Sequence, residues 1–317
     1  MSQRRETIRT ILLDSGVDPI DLDNNSLSLQ SQAFAWLSLT DVYCPTTRGM
    51  TETRVWVLQR FVLAILYFAT NGDGWTMCSN NPSATDNCGN ERPFEGKTRF
   101  LDTTTSECEW AGITCNDETK NVTKILFGTS TCVCVKITCG FLHSHMPPSL
   151  FCLTERNNLV GTIPSEIGWL GGSLVELGMQ QGGLSGVIPS EIGRLSLLRY
   201  LDLDYNGLTG TLPLQLWSSL VRLEQLDLNH NALTGTLDGT TTTTRRLEFV
   251  QLDSNGFTGT IPSWLGDLDR LQALTLHKTR LMGTVPPRLC AIPTLRLLTA
   301  DCYGPHVVCA CCNYCWP

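Results

Sequence analysis

The sequence lacks the usual signs of an enzyme, of a nucleic-acid binder and of a membrane-spanning helix. It has no Gly-x-Ser-x-Gly, phosphate-loop, His-Glu-x-x-His or kinase motif. No run of about 18 uncharged apolar residues is present, so no spanning helix is predicted. Lys and Arg number 23 against 30 Asp and Glu, for a net charge of −7, which argues against nucleic-acid binding. We therefore predict a non-enzymatic protein without a cofactor or metal.

A secretory leader is also missing, although the cysteine content indicates an oxidising compartment. The first ten residues, MSQRRETIRT, are polar and charged, unlike a signal peptide. The 15 cysteines lie in tight local clusters, as in secreted proteins. Sequons beginning at Asn24 and Asn121 predict glycosylation. We expect an extracellular, cell-surface or lumenal protein, with a signal or membrane anchor encoded upstream of Met1.

One leucine pattern organises the second half of the chain. Leu198–Pro213 has the form Leu-x-x-Leu-x-Leu-x-x-Asn-x-Leu-x-Gly-x-Leu-Pro, and its copies start 24 or 25 residues apart. The copies start at Leu174, Leu198, Leu223, Leu247, Leu271 and Leu295. A fixed period of this length with this pattern predicts a leucine-rich-repeat solenoid.

The pattern also predicts how the repeats stack. Two leucines two residues apart point to the same face of a strand, which a single strand cannot bury. Stacked copies bury that face and pair their strands in parallel. Asn206, Asn231 and Asn255 follow the strands and can form a side-chain ladder along the stack. The expected fold is an α/β right-handed solenoid with a parallel concave sheet and a helical N-terminal cap.

The repeat ending Leu-x-Gly-x-Ile-Pro resembles the plant-type leucine-rich repeat over roughly residues 55–301. Such repeats occur in receptor-like ectodomains and in polygalacturonase-inhibiting proteins, and similar proteins are found in diatoms. The element Cys108-Glu-Trp-Ala-Gly-Ile-Thr-Cys115 is similar to the cap element of that family. The resemblance implies a Cys108–Cys115 disulfide that joins the cap to the first repeat.

Further disulfides are expected at both ends of the repeats. Cys78 and Cys88 are predicted to pair across the polar loop between them, and Cys290 to pair with Cys302. A metal site is the alternative near the cap, but the cysteine spacings there differ from those of zinc modules. The terminal Cys-x-Cys-Cys-x-x-Cys run (309–315) could hold disulfides or zinc.

We divide the chain into four segments. Residues 1–71 form a helical region, 72–121 a Cys-containing cap, 122–301 the repeats and 302–317 a Cys-rich C-terminal cap. Helices are predicted at Glu6–Leu13, Gln30–Leu39 and Thr53–Thr70. The apolar part of the third helix, Phe61–Ala69, is bounded on its N-terminal side by Arg60. Removing residues 128–154 restores the register of the first repeat, so these residues interrupt it. They are an insertion, a gene-model artefact or a degenerate extra coil.

The expected function is binding on the concave face. The outward positions predicted to contact a ligand are Tyr200, Asp202, Asp204, Tyr205, Asp227, Asn229, His230, Phe249, Gln251 and Asp253. Aromatic side chains supply contact area and carboxylates select basic partners. The ligand could be a protein, a peptide or a glycan; the alternatives are a structural adhesion or cell-wall scaffold and a secreted enzyme inhibitor. Catalysis by the carboxylates is not expected, because an open sheet leaves them solvated.

Overall fold

The computed structural model describes most of the chain. The described residues are 2–23, 27–43, 50–81, 83, 88–90, 94–127, 157–237, 245–303 and 306–316. The predicted glycosylation site at Asn24 and the interrupting segment 128–154 lie outside them, and glycosylation at Asn121 stays a prediction.

Three helices form the N-terminal region: α1 (Ser2–Asp14), α2 (Leu29–Ala35) and α3 (Met50–Ala69). The chain continues from α2 into a π-helical turn, Trp36–Thr40, so the second predicted helix is present but changes its winding. The apolar half of α3 is buried, as its composition predicts. Arg60 is buried as well, with no exposed surface, whereas the sequence suggests only that it ends the apolar run.

Sixteen strands follow in the described chain. They are β1 (Ile113–Cys115), β2 (Val122–Leu126), β3 (Val160–Thr162), β4 (Glu176–Gly178), β5 (Gly183–Val187), β6 (Tyr200–Asp202), β7 (Gly207–Thr211), β8 (Gln225–Asp227), β9 (Ala232–Gly235), β10 (Phe249–Gln251), β11 (Gly256–Thr260), β12 (Ala273–Thr275), β13 (Arg280–Thr284), β14 (Leu297–Ala300), β15 (Val307–Val308) and β16 (Tyr314–Cys315).

These strands form two sheets on opposite sides of a leucine core. The concave sheet has the order β1-β2-β4-β6-β8-β10-β12-β14-β16 and the convex sheet the order β15-β13-β11-β9-β7-β5-β3. Only β1 and β2 pair antiparallel among the described strands. Leu201 faces Leu226 across the β6–β8 pair, so the inward leucines stack in register. The solenoid predicted from the repeat is confirmed.

Within the described residues, five short helices lie between a convex strand and the next concave strand. The α-helical ones are α4 (Gln215–Ser218) and α5 (Pro287–Cys290). The 3-10 turns are Pro19–Leu22, Gly72–Gly74, Glu107–Glu109, Ser165–Leu170, Ser190–Arg194 and Ser263–Asp267, of which the last three close coils of the solenoid.

The asparagine ladder is present. The Asn206 amide donates to the carbonyls of Met179 and Leu203 at 2.9 and 3.1 Å and accepts from the Leu184 amide at 3.1 Å. Asn231 and Asn255 repeat this arrangement one and two coils further on. The ladder satisfies backbone groups that the turn would otherwise leave buried and unpaired, which explains why the repeat requires this residue type.

The first coil keeps the register of the others on both sides of residues 128–154. Strand β2 pairs directly with β4, with Lys124 opposite Glu176, and β3 pairs directly with β5, with Val160 opposite Gly183. The two flanks therefore occupy the concave and convex positions of one coil. The nature of the intervening segment stays a prediction.

Two disulfides join the pairs that the sequence predicts, Cys78–Cys88 and Cys108–Cys115. The predicted Cys290–Cys302 bridge is wrong. Cys290 bonds to Cys311, Cys302 to Cys315, and Cys309 to Cys312. The reason is that the tail folds back over the open end of the solenoid, where β16 pairs with β14 and places Cys315 opposite Ala300. These bonds use every cysteine of the terminal run, so no thiolate there is left for the zinc alternative.

No helix within the described ranges is both long and apolar enough to cross a membrane.

Candidate functional site

The concave sheet presents three lateral rows of polar side chains. Because alternate residues of a strand face the same side, the positions between the core leucines line up from coil to coil. The first row is Tyr200, Gln225 and Phe249; the middle row is Asp202, Asp227, Gln251 and Thr275. The third is Gln180, Asp204, Asn229, Asp253 and His277. Eight of the ten predicted ligand-binding residues lie in these rows.

The other two predicted residues lie at the edge of this surface. Tyr205 and His230 have φ values of 50° and 54°, in the left-handed region that non-glycine residues rarely adopt. Their rings stack with centroids 4.1 Å apart and an interplanar angle of 12°. The repeat thus uses its strained turn position to place a flat aromatic pair beside the third row.

Two of the carboxylates receive hydrogen bonds from neighbouring coils. Asp227, only 5% exposed, accepts from the side-chain amides of Gln225 and Gln251, the latter at 2.8 Å. Burial raises its pKa to about 6, although these bonds oppose the shift.

Asp253 has a different set of donors. It accepts from the hydroxyls of Thr275 and Ser254, and His277 Nε2 lies 3.6 Å from its carboxylate. Burial lowers the pKa of His277, and its Nδ1 is hydrogen bonded to Thr299 at 2.8 Å. The two hydroxyls are therefore the hydrogen-bond donors to Asp253, and the imidazole, at 3.6 Å, supplies no full positive charge.

The carboxylates of Asp202 and Asp204 are poorly satisfied. Asp202 Oδ1 accepts from the Asp204 backbone amide at 3.2 Å. Asp204 Oδ1 is buried and has no hydrogen-bond partner. Burial raises the pKa of Asp204 to about 8, helped by repulsion from Asp227 and Asp253. The pKa of Asp202 is also raised well above its ordinary value, by burial and then by the charges of Asp204 and Asp227.

The expectation that this face leaves its carboxylates solvated is therefore wrong. Parallel strands lie about 4.8 Å apart, so acidic side chains at matching positions of adjacent coils crowd and desolvate each other. The signal in the sequence is the return of Asp at the same repeat position in neighbouring coils, as at Asp202 and Asp227. Within the described ranges no three His, Cys, Asp or Glu side chains are arranged to hold a metal ion.

Tyr200 belongs to a separate group at the outer margin of the face. Its hydroxyl donates to Glu224 at 3.1 Å, and Arg199 forms a two-bond ion pair with Glu224 at 2.9 and 2.8 Å. This positive charge is already neutralised by Glu224. It does not compensate the buried carboxylates of the other two rows.

The sheet order, the coil register and the asparagine ladder define a leucine-rich-repeat protein. The Leucine Rich Repeat family model matches residues 197–219 and 246–268. A putative leucine-rich repeat receptor-like serine/threonine-protein kinase of Arabidopsis thaliana is 38% identical over 117 residues, which cover 35% of this chain and 11% of that protein. The chain therefore folds as a leucine-rich-repeat solenoid and is similar to plant leucine-rich-repeat proteins, and it matches about a tenth of the length of this curated relative.

A solved structure shows the same fold. The crystal structure of a pollen receptor kinase 3 superimposes with a TM-score of 0.51 at 21% sequence identity, over 69% of this chain and 91% of that one. At this identity the similarity concerns the solenoid architecture and not the ligand.

Proposed function

We propose that this protein is a receptor-like recognition module that binds a peptide or an extended protein segment across the concave sheet. The aromatic, amide and carboxylate side chains of that sheet are partly buried. This favours binding of a specific ligand over a polar surface that contacts only water. The similarity to a putative leucine-rich repeat receptor-like kinase supports the same class of function.

One observation carries the proposal: the concave face contains buried acceptor oxygens without donors. Asp204 Oδ1 and Asn229 Oδ1 are both of this kind. A buried polar atom without a partner destabilises a protein by roughly 1–3 kcal/mol. Such atoms are common where a ligand completes the hydrogen bonding, whereas a structural scaffold gains nothing from them.

The disulfides support a location outside the reducing cytosol. Five are present among the described residues, and they fasten both ends of the solenoid. Disulfides persist mainly in secreted and lumenal proteins. We propose that the module acts at the cell surface, in the extracellular space or in a secretory lumen.

A displayed library of random 12-residue peptides, selected on the oxidised protein, tests this function. Peptides that bind the wild type should lose at least about thirtyfold in affinity for the double variant Tyr200→Ala, Asp202→Ala, since a hot spot contributes about 2 kcal/mol or more. Met282→Ala, an exposed change on convex strand β13, is the control and should leave affinity unchanged.

Two results would contradict the proposal. One is that no peptide is enriched on the wild type, as expected for a scaffold. The other is that the enriched peptides bind the concave double variant as well as they bind the wild type.

A further inference from the structure

We propose that the ligand of the concave face presents an arginine side chain, and that Asp204 together with its lateral neighbours Gln180 and Asn229 receives the guanidinium. This inference rests on the proposed function and names the chemistry of its ligand. These three residues form the acceptor row.

The acceptor row consists of equivalent positions on three successive coils. The register pairs Gly178 with Asp202 and Asp202 with Asp227, so the residues two positions further along also face each other. Each of the three side chains has a buried oxygen that accepts no hydrogen bond: Gln180 Oε1, Asp204 Oδ1 and Asn229 Oδ1. Asn229 is only 7% exposed, so bulk water does not readily replace the missing donor.

The missing donors are confined to this part of the face. One coil further on, Asp253 occupies the same position and accepts from Thr275 and Ser254. In the middle row Asp227 accepts from Gln225 and Gln251. The protein thus supplies donors to the neighbouring carboxylates and none to Asp204 Oδ1.

The charge balance indicates a cation. Asp202, Asp204, Asp227 and Asp253 lie on three adjacent coils. Among the described ion pairs, only the imidazole of His277 comes within 4 Å of any of them, at 3.6 Å from Asp253, and burial lowers the pKa of that imidazole. Neutral donors would fill the hydrogen bonds and leave the repulsion between the carboxylates. A cationic donor relieves both.

A guanidinium fits the acceptor row better than an ammonium or a metal ion. Its five N–H groups lie in a planar fork that can reach a carboxylate and amide oxygens on either side of it, and adjacent strands lie about 4.8 Å apart. The stacked rings of Tyr205 and His230 border the row and offer a flat surface, on which guanidinium groups pack well. The described residues include no metal-binding group.

The test compares two peptides on the oxidised protein by NMR titration. The probe is N-acetyl-Gly-Arg-Gly-amide, and its control is the same peptide with citrulline, which keeps the shape and loses the charge. The titration is done at pH 8.5, above the pKa of about 8 of Asp204, and at low ionic strength, where screening is weak. The arginine peptide should bind at least tenfold more tightly than the citrulline peptide and should shift the resonances of Asp204 and Asn229.

Two variants locate the site. Asp204→Asn should reduce the affinity for the arginine peptide to that for the citrulline peptide; since it removes a crowded charge, it should fold at least as stably as the wild type. Asp269→Asn removes the same charge from an exposed position and should change the affinity less than twofold. Asn229→Asp adds a charge within the acceptor row and should tighten binding of the arginine peptide.

Equal affinities of the two peptides, or an unchanged affinity in Asp204→Asn, would overturn the inference. The proposed function can fail separately. If the displayed library gives concave-dependent peptides that lack arginine and ignore Asp204→Asn, recognition by the concave face stands and the arginine site is refuted. If no peptide of any kind depends on the concave face, both are refuted.

Discussion

Carboxylates are buried in two regions of the molecule, and the two regions treat them differently. One is the N-terminal cap, which here means all described residues before β1, and the other is the concave sheet. In the cap, Arg60 lies between Asp41 and Glu107, with Nη2–Oδ1 and Nη1–Oε2 distances of 2.7 and 3.2 Å, and all three side chains are fully buried. On the concave sheet, Asp202 and Asp204 crowd against Asp227 with no such cation among the described side chains. The cap pairs its buried carboxylates with a cation of the chain, whereas the described part of the concave sheet does not.

The surroundings of Arg60 show what a guanidinium needs in this protein. Its Nη1 also donates to the Thr105 carbonyl at 3.1 Å, so carboxylate and backbone acceptors share its N–H groups. Four rings surround its Cζ atom at 4.5 to 5.5 Å: Trp36, Tyr43, Trp56 and Trp110. Buried ions are stable only when paired and fully hydrogen bonded. The acceptor row repeats part of this environment, with acceptors and a stacked ring pair, but without the cation.

The strongest test of the contrast is to remove the cation from the cap. Arg60→Met leaves Asp41 and Glu107 buried and unpaired, so the free energy of unfolding should fall by about 3–5 kcal/mol. Denaturant unfolding monitored by tryptophan fluorescence measures the change. Arg199→Met, which breaks the exposed ion pair with Glu224, is the control and should cost less than about 1 kcal/mol. Similar effects for the two variants would show that the buried cluster contributes no more than a surface pair.

The repeats should depend on their leucine core rather than on charge. Leu226 is fully buried beneath the acidic rows, and Leu226→Ala should lower the free energy of unfolding by about 2–5 kcal/mol, through lost apolar burial and the cavity left behind. Denaturant unfolding again measures the effect. A loss below about 1 kcal/mol would mean that the coil collapses around the smaller residue and that the core beneath the concave face is adaptable.

A smaller effect of opposite sign is expected for Asp204→Asn. Burial raises the pKa of Asp204 in the folded state from its ordinary 3.8 to about 8. The folded state therefore holds a proton that the unfolded state releases, and the stabilising effect of that proton is complete below pH 3.8 and is lost as the pH rises through 8. The amide has no charge to bury, so at pH 8.5 the variant should be more stable than the wild type. The gain should be on the order of 1 kcal/mol, well below the full value that the pKa shift implies, because the side chain is only partly buried and solvent screens its charge.

The pH dependence of that difference checks the cause. Thermal unfolding of the wild type and Asp204→Asn should converge as the pH is lowered from 8.5 to 4. Other groups also titrate: the pKa values of Asp41 and Glu107 are raised by burial and that of His277 is lowered. Both proteins share these groups, so the difference isolates Asp204 and the charges of Asp202, Asp227 and Asp253 that face it. A gap independent of pH would refute the electrostatic explanation.

The sequence predicts the features that depend on spacing between neighbouring repeats. The period fixes the concave positions, and Asn206 and its equivalents follow each strand at the same distance, so the sheets, the ladder and the rows could be inferred. It does not predict contacts set by distant parts of the chain. Arg60 looks like the polar end of an apolar run, because its partners Asp41 and Glu107 lie 19 and 47 residues away.

The crowding of the carboxylates and the pairing of the terminal cysteines were missed for a related reason. Repeat positions show which residues are adjacent, but not that strands about 4.8 Å apart desolvate matching acidic groups. Cys290 pairs with Cys311 because the tail folds back over the last coil. Cys302 is nearer in sequence to Cys290 but bonds to Cys315, so proximity along the chain gave the wrong partner.

The last test gives the concave sheet a cation of its own. Gln180→Arg places a guanidinium on the coil next to that of Asp204, just after β4 and within reach of the carboxylate across one strand spacing of about 4.8 Å. The new pair is only partly buried, so the gain in stability should be small, at most about 1 kcal/mol at pH 8.5. The arginine peptide should no longer bind, because its position is occupied from within the chain.

Gln180→Met is the matched control, since it removes the same buried acceptor and adds no charge. It should leave most of the arginine binding intact, because Asp204 and Asn229 remain. If both variants abolish binding, shape alone decides and the missing cation is not what the ligand supplies. If only Gln180→Arg abolishes binding, the concave sheet and the cap differ in the source of their cation. The cap carries its arginine within the chain, and the sheet takes its arginine from the ligand.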